Sequence, residues 1–248
     1  MSNEITNNSP DVSVIIPVHN ESGAIVTLIE EIEAALSGFG YEIIVVDDCS
    51  KDDTLEVLQN AKATHPNLKV FSHIKNAGQS RAIYSGLQFA TAPLIGVLDG
   101  DGQNDPVDFP KMLRILTAPD APKKLAMVQG MRLKRQDTKA KKYASKIANA
   151  VRQKLLNDGA VDSGCGIKIV RKEVFDTLPY FDHMHRYMAA LVKQAGFETQ
   201  FIEVHHRPRE TGQSKYTNIG RLVAALTDLI GVIWLGTRRK NPEGVKEV

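Results

Sequence analysis

The sequence predicts an α/β fold with a Rossmann-like, mainly parallel mixed sheet and helices on both of its faces. Short β-branched runs alternate with segments of helical period along the first hundred residues. These runs are apolar throughout, which is typical of parallel strands that are covered on both sides. The 248 residues are 42% hydrophobic and carry a net charge of +2. These values are ordinary for a globular chain and exclude a polyelectrolyte.

Three strand–helix units and a fourth strand are predicted in the first half. The strands are predicted over residues 12–17, 42–47, 68–73 and 94–99. The first helix, over residues 23–36, has an apolar stripe formed by Ile25, Leu28, Ile29, Ile32 and Leu36. The second helix begins near Thr54, with Asp52 or Asp53 as its cap, and the third covers residues 79–90. Ligands of such sheets bind beyond the carboxyl ends of the strands.

The second half is less regular but continues the α/β pattern. Further strands are predicted over residues 126–130, 166–170 and 199–204, and helices over residues 139–157, 183–195 and 218–235. We expect a disordered tail at residues 1–10, one domain at residues 11–216 and an amphipathic, membrane-associating extension at residues 217–248.

The cysteine content and the hydropathy of the sequence indicate where in the cell the chain is expected. Cys49 and Cys165 do not form a Cys-x-x-Cys pair, so no zinc site is predicted and a reduced, cytoplasmic chain is expected. The first ten residues lack the pattern of a signal peptide. No run of about 18 apolar residues predicts a membrane span.

Two carboxylates separated by one glycine close the fourth predicted strand. The segment reads L-I-G-V-L-D-G-D-G-Q-N-D and contains Asp99 and Asp101. Carboxylates held close together raise each other's pKa unless a cation lies between them. Mg²⁺ and Mn²⁺ prefer oxygen ligands, so the pair predicts a divalent ion that would bind a diphosphate.

Polar or turn-forming residues also follow the other three strands. They are Pro17, Asn20 and Glu21 after the first, Asp47 and Asp48 after the second, and Asn76 and Gly78 after the third. Turn chemistry accounts for some of them, but it does not readily account for paired carboxylates at two of four strand ends. We therefore predict a ligand site at this edge of the sheet.

Several segments in this order resemble the family-two inverting glycosyltransferases, which have the GT-A fold. They are V-S-V-I-I-P-V-H-N-E, V-V-D-D-C-S-K-D-D-T, N-A-G-Q-S-R-A and L-D-G-D-G-Q-N-D-P. D-S-G-C-G-I-K-I-V-R-K-E-V-F and H-R-P-R-E-T-G-Q-S-K-Y resemble the polyprenyl-phosphate branch, of the dolichol-phosphate mannose synthase type. The resemblance covers about residues 11–216. It implies metal-dependent, inverting transfer of a hexose from GDP-mannose or a UDP-sugar to dolichyl or undecaprenyl phosphate in cell-envelope glycan biosynthesis.

The resemblance also implies roles for individual residues. Pro17 and Glu21 would line the nucleotide pocket, and Asp48 would contact the base or ribose. The other predicted substrate-binding residues are Asn20, Asn76, Gly78, Asp99 and Arg209. Asp99, Asp101 and Gln103 would surround Mg²⁺ or Mn²⁺ and the diphosphate. Gly100 is expected to make this loop more flexible than a bulkier residue would.

The chemistry of the acceptor decides which further residues are needed. A phosphate monoester is mostly dianionic at neutral pH, so it needs cations to place it, whereas a sugar hydroxyl needs a base. The resemblance places the acceptor phosphate near Arg132 and near a loop that supplies Arg207, Arg209 and Lys215. The predicted catalytic residues are therefore Asp101, Arg132, Arg207 and Lys215. Asp162 and Asp182 remain as bases for a hydroxyl acceptor.

Two segments predict a peripheral position on the cytoplasmic face of a membrane. The predicted helix around residues 134–154 is basic and carries an apolar face. Residues 219–235 are strongly apolar but are interrupted by Arg221 and Asp228; they contain Trp234 and precede the basic residues 238–240. Such a segment can lie among anionic headgroups. The basic helix lacks interleaved aromatic residues, so nucleic acid is not predicted as a partner.

Two other functions stay open at this point. One is a glycosyltransferase that acts on a soluble or glycan hydroxyl, and the other is a non-catalytic nucleotide-binding protein of the same fold. The residues do not distinguish GDP from UDP, and they leave the sugar, the lipid length and oligomerisation open.

Overall fold

The computed structural model describes residues 9–132, 152–207 and 218–241, with side chains of the last segment from residue 225 onward. Its strands are β1 (Val12–Val18), β2 (Tyr41–Asp47), β3 (Leu68–Ser72), β4 (Leu94–Val97), β5 (Leu125–Met131), β6 (Lys168–Arg171) and β7 (Glu198–Glu203). They form one sheet in the order β3-β2-β1-β4-β6-β5-β7. β6 is antiparallel to both of its neighbours and every other pairing is parallel. The predicted mixed, mainly parallel sheet is confirmed.

Helices cover both faces of the sheet. They are α1 (Ile25–Ala35), α2 (Thr54–Ala61), α3 (Gln79–Leu87), α4 (Phe109–Thr117), α5 (Lys172–Phe175), α6 (Met188–Gln194) and α7 (Asn218–Arg238). Two 3₁₀ turns precede α4 and α6, at Pro106–Asp108 and Met184–Arg186. Residues 152–156 are also helical.

The core is divided by the sheet into two apolar clusters. Alternate residues of β1 contribute to each, because side chains of a strand point to opposite faces in turn. Val14 and Ile16 pack with α1, α2 and α4, whereas Ile15 packs with α3, α5 and α6. All three residues are fully buried, and β1 is an inner strand of the sheet, between β2 and β4.

The last described helix packs on this core and exposes an apolar stripe. Leu229 and Val232 of α7 are buried, and the Tyr187 hydroxyl donates a hydrogen bond to the carbonyl of Ala225 at 3.1 Å. The exposed stripe consists of Leu226, Ile230 and Trp234, which are 52%, 68% and 56% exposed. Among the described residues, no helix combines the length and the apolar character that a membrane crossing requires.

Several predicted elements differ from the observed ones. α4 was not among the predicted helices; its apolar residues pack in the core next to the sheet, and they are Phe109, Met112, Leu113 and Leu116. The helix predicted over residues 183–195 is interrupted, because His183 has a φ of 64° and a 3₁₀ turn precedes α6. Of the helix predicted over residues 139–157, only its last turns lie among the described residues, and the predicted tail lies outside them apart from residues 9 and 10.

Candidate active site

The turn after β4 places Asp99 and Asp101 at the carboxyl edge of the sheet. β4 ends at Val97, and the amide of the buried Leu98 donates to the carbonyl of Ile15 in β1. Asp99 Oδ1 accepts a hydrogen bond of 2.7 Å from Gln79 Nε2, at the first residue of α3. Burial, together with the charge of Asp101, raises the pKa of the Asp99 carboxyl. A cation close to Asp99 would oppose this rise.

Two glycines fix this turn, and one of them corrects an expectation. A Cβ on Gly100 would lie 2.6 Å from Val18 Cγ1 and 3.1 Å from the carbonyl oxygen of Pro17. The residue is buried against β1, so it makes the loop close-packed rather than flexible. A Cβ on Gly166 would lie 2.2 Å from Asp99 Oδ2, so the backbone there also depends on the absence of a side chain.

A first pocket of about 270 Å³ lies at the carboxyl ends of β1, β2 and β4. The predicted residues that line it are Pro17, Glu21, Asp48, Asp99 and Asp101, and they are joined by His19 and Gln79. The pocket lies at the point where the order of parallel strands reverses between β1 and its two neighbours. Ligands of open α/β sheets bind at such a position.

Asp48 organises the loop that follows β3. Its Oδ1 accepts hydrogen bonds from His73 Nδ1 at 2.7 Å and from the amide of Ala77 at 2.8 Å. Its Oδ2 accepts them from Asn76 Nδ2 at 2.8 Å and from the amide of Gly78 at 2.7 Å. The predicted residues Asn76 and Gly78 therefore hold the carboxylate of Asp48, which lines the first pocket. Gly78 has a φ of 88° and precedes α3 directly.

Asn20 and Gln103 support the first pocket from its edges. Asn20 has a φ of 60°, and its Oδ1 accepts a hydrogen bond of 2.7 Å from the amide of Lys51. The amide of Gln103 donates to Asp101 Oδ1 at 3.2 Å. Both residues hold turns whose neighbours line the pocket.

A second pocket of about 390 Å³ adjoins the first and shares Gln79 and Asp99 with it. Arg132 lines this pocket and forms a double hydrogen bond with Asp162, with Nε–Oδ2 and Nη2–Oδ1 distances of 2.6 and 2.8 Å. Burial acts to lower the pKa of Arg132, but the bonds to Asp162 outweigh it and raise that pKa. Asp162 is thus held by a guanidinium, and Asp182 lies outside the lining with its side chain 65% exposed.

Three further residues that line the second pocket were not singled out by the sequence analysis. They are Lys168, His185 and Arg186. The signal for Lys168 was present, because it interrupts an apolar strand between Ile167 and Ile169. A charge in such a strand predicts a buried cation. His185 and Arg186 lie in the 3₁₀ turn Met184–Arg186, which no periodicity in the sequence indicates.

Arg207 binds carboxylates in the described arrangement. Its Nη1 lies 2.8 and 2.9 Å from the two carboxylate oxygens of Glu31, and its Nη2 lies 2.7 Å from Asp105 Oδ2. Its amide donates to the carbonyl of Gln103 at 2.8 Å. The segment after β7 is thus tied to the loop that contains Asp101. The predicted residues Arg209 and Lys215 lie outside the described residues.

Residues 13–178 match the model of the family described as "Glycosyl transferase family 2". The chain belongs to glycosyl transferase family 2. Within this family it is 33% identical over 223 residues to undecaprenyl-phosphate 4-deoxy-4-formamido-L-arabinose transferases from Enterobacter sp. (strain 638) and Yersinia pestis (strain Pestoides F). The match covers 88% of this chain and 66% of each relative. The chain thus spans just under two thirds of the length of these relatives.

Solved structures confirm that this family 2 chain has the GT-A fold. Glucosyl-3-phosphoglycerate synthase from Mycobacterium tuberculosis, with Mn²⁺, UDP and glucosyl-3-phosphoglycerate, has a TM-score of 0.67 at 16% identity and covers 92% of this chain and 80% of that one. Mannosyltransferase PcManGT from Pyrobaculum calidifontis, with GDP-Man and Mn²⁺, has a TM-score of 0.62 at 16% identity. The match covers 94% of this chain and 66% of that one. Another structure of the same synthase contains Mg²⁺ and UDP.

Proposed function

We propose that this chain transfers a sugar from a nucleotide sugar to a polyprenyl phosphate, with inversion at the anomeric carbon. The observation that carries the proposal is the pair of adjoining pockets that meet at Asp99 and Gln79. One pocket has the position expected for a nucleotide and the other is lined by cations. The names of the relatives specify an undecaprenyl-phosphate acceptor and an arabinose derivative, so the sugar class includes pentoses beside the predicted hexoses.

The donor is proposed to bind in the first pocket with Mg²⁺ or Mn²⁺. Asp99, Asp101 and Gln103 would supply oxygen ligands of the type these ions prefer, and a nearby cation would oppose the rise that burial and the charge of Asp101 cause in the pKa of Asp99. Within the described residues, no group of three or more His, Cys, Asp or Glu side chains has an arrangement that could hold a metal ion by itself. Mg²⁺ is usually bound by one or two carboxylates together with substrate phosphates. The ion would offset the negative charge that develops on the departing nucleoside diphosphate.

The acceptor phosphate is proposed to enter the second pocket. A phosphate monoester is already mostly dianionic at neutral pH, so the residues there have to bind and orient it without removing a proton. Arg132 lines this pocket, while both oxygens of Asp162 already accept hydrogen bonds from that guanidinium. This arrangement favours a phosphate over a hydroxyl acceptor, which would need an available base.

A membrane surface is proposed as the place of the reaction. The exposed apolar stripe of α7 is formed by Leu226, Ile230 and Trp234, and it precedes Arg238, Arg239 and Lys240. An apolar face bordered by basic residues suits a peripheral helix among anionic headgroups. This position would bring the second pocket near a lipid acceptor.

The experiment is a transfer assay with radiolabelled UDP- and GDP-sugars, undecaprenyl phosphate and Mn²⁺. We expect one donor to give a product that partitions into organic solvent, and we expect Asp101→Asn to reduce its formation at least 100-fold. Asp120→Asn is the matched control, because Asp120 is exposed, precedes β5 and lines neither pocket. Transfer to a soluble hydroxyl acceptor but to no lipid phosphate would contradict the proposal.

A further inference from the structure

Lys168 is a buried cation on the floor of the second pocket. It pairs with Val97 in the antiparallel register of β6 and β4, and it is 2% exposed. Its Nζ donates one hydrogen bond, of 3.1 Å, to the carbonyl oxygen of His185. Because an ammonium group has three donors, two of its N–H groups remain for a ligand as far as the described residues show.

Burying the charged ammonium group of Lys168 is unfavourable, and the residues around it only partly compensate. Burial lowers the pKa of Lys168, and the charge of Asp99 only partly opposes this effect. Structural ammonium groups that are buried are normally paired with a carboxylate at contact distance. No ion pair of Lys168 occurs within the described part of the chain. A charge kept in this position indicates a ligand of opposite sign.

Arg186 provides a second cation at the rim of the same pocket. Its side chain is exposed and lines the pocket, and in the described ranges it has no ion-pair partner. Arg132, by contrast, is already bound to Asp162 at 2.6 and 2.8 Å. Among the described residues, the cations of this pocket whose charge has no carboxylate partner are therefore Lys168 at the floor and Arg186 at the rim.

We infer that Lys168 and Arg186 together bind the non-reacting oxygens of the acceptor's phosphate. This inference rests on the proposed function and adds two binding residues that the sequence analysis did not single out. One phosphate oxygen forms the bond to the anomeric carbon as the bond from that carbon to the nucleoside diphosphate breaks, and the other two oxygens share the one negative charge that the phosphodiester product retains. An ammonium acts on such an oxygen as a point charge and a guanidinium as a planar fork.

The donor's diphosphate is the other source of phosphate oxygens near Lys168, since Asp99 borders both pockets. The two sources differ in what a substitution changes. Loss of an acceptor ligand raises the KM for the lipid phosphate and leaves nucleotide affinity unchanged. Loss of a donor ligand weakens Mn²⁺-dependent binding of the nucleoside diphosphate.

The test uses Lys168→Met and Arg186→Met in the full chain. Methionine retains the length and apolar stem of the lysine side chain, and replacing a buried charge by an apolar group is often tolerated. Arg186→Met changes an exposed side chain, so it remains informative if Lys168→Met lowers the yield of folded protein. Lys172→Met is the matched control, because Lys172 pairs with Asp176 at the surface.

We expect both variants to raise the KM for polyprenyl phosphate at least tenfold, with nucleotide affinity in calorimetry within about twofold of the wild type. Lys172→Met should leave both quantities unchanged. An unchanged KM for the acceptor, or an equal loss of nucleotide affinity, would overturn the inference.

A binding experiment tests this inference independently of the proposed function. It compares farnesyl phosphate with farnesol in calorimetry. Binding of farnesyl phosphate alone, lost in Lys168→Met, would support the phosphate site even if the wild type transferred no sugar. Equal binding of both probes would overturn the site even if transfer occurred.

Discussion

The position of the Asp99 side chain depends on Gly166, which lies 67 residues further along the chain. A Cβ on Gly166 would lie 2.2 Å from Asp99 Oδ2 and 2.7 Å from Asn104 Nδ2. Distances of this kind force a shift, and overpacking typically costs about 1–3 kcal/mol. The side chain that moves is the carboxylate proposed to bind the metal.

We predict that Gly166→Ala lowers kcat/KM for transfer by about tenfold or more, equivalent to about 1.4 kcal/mol in the barrier. Gly38→Ala is the control, since nothing lies within 4 Å of the Cβ position there. The measurement is the transfer assay together with a thermal melt. Full activity in Gly166→Ala would show that Asp99 does not need this position.

Glu42 provides a residue-scale prediction about stability at the opposite, amino-terminal end of the sheet. It is 6% exposed and accepts hydrogen bonds from Ser13 Oγ at 2.5 Å, Lys69 Nζ at 2.5 Å, and the amide and hydroxyl of Thr91 at 2.7 and 2.8 Å. Burial acts to raise the pKa of Glu42, but the bonds from Lys69, Ser13 and Thr91 outweigh it and lower the pKa below 4.5.

A carboxyl whose pKa is lower in the folded state stabilises the fold above its unfolded pKa, and this contribution is lost as the pH falls through the folded value. We predict that Glu42→Gln lowers the free energy of unfolding by about 1–3 kcal/mol at neutral pH. The difference from the wild type should shrink below about pH 4.5. Urea unfolding at several pH values measures it, with the exposed Glu56→Gln as control. A pH-independent difference would contradict the ionic role of Glu42.

At the scale of elements, Arg207 joins the segment after β7 to α1 and to the turn after β4. Its partners are Glu31 and Asp105, and the neighbouring His205 amide donates to Asp108 Oδ2 at 2.8 Å. These contacts hold residues 205–207, the described start of the predicted acceptor loop, next to the predicted metal loop.

We predict that Asp105→Asn and Arg207→Ala lower kcat/KM non-additively, because each removes the same contact. The coupling energy between partners of this kind is about 0.5–1 kcal/mol. A double-mutant cycle on transfer measures it, and the exposed Lys172–Asp176 pair provides a control cycle. Additive effects would assign Arg207 a role independent of Asp105.

The exposed stripe of α7 leads to a prediction about membranes. We expect Ile230→Ser with Trp234→Ser to reduce binding to vesicles that contain anionic lipid at least fivefold, because both side chains would leave water on binding. Val107→Ser is the control, since Val107 is an exposed apolar residue elsewhere, at 55% exposure. Equal loss in the control, or unchanged binding in the double variant, would contradict a membrane role for α7.

At the scale of the whole molecule, the strands that local sequence patterns define were predicted well, whereas strand pairing between distant segments was not. The first four strands were predicted within two residues of their observed ends, because each is a short apolar run bounded by turn residues. The residues that line the first pocket follow from those ends. The position of β6 between β4 and β5 did not follow, since it depends on pairing between segments about 70 residues apart.

That pairing explains why part of the site escaped the sequence analysis. β6 brings Gly166 against Asp99 and places Lys168 under the second pocket. The carboxylates around Arg207 were missed for the same reason, since Glu31 precedes it by 176 residues. The charges of the arginine and lysine residues indicated phosphate chemistry, whereas the residues that each of them contacts depend on the tertiary structure.

The central claim is that a divalent ion held at Asp99 and Asp101 fixes the donor's diphosphate in the first pocket and leaves the second pocket for the acceptor. Crystals grown with Mn²⁺ and UDP or GDP test it most directly, through the anomalous signal of manganese. We predict one anomalous peak in contact with both carboxylates and the diphosphate, with the nucleoside beside Pro17 and Asp48. A peak away from Asp99 and Asp101, or a nucleotide bound over Lys168 in the second pocket, would contradict the claim.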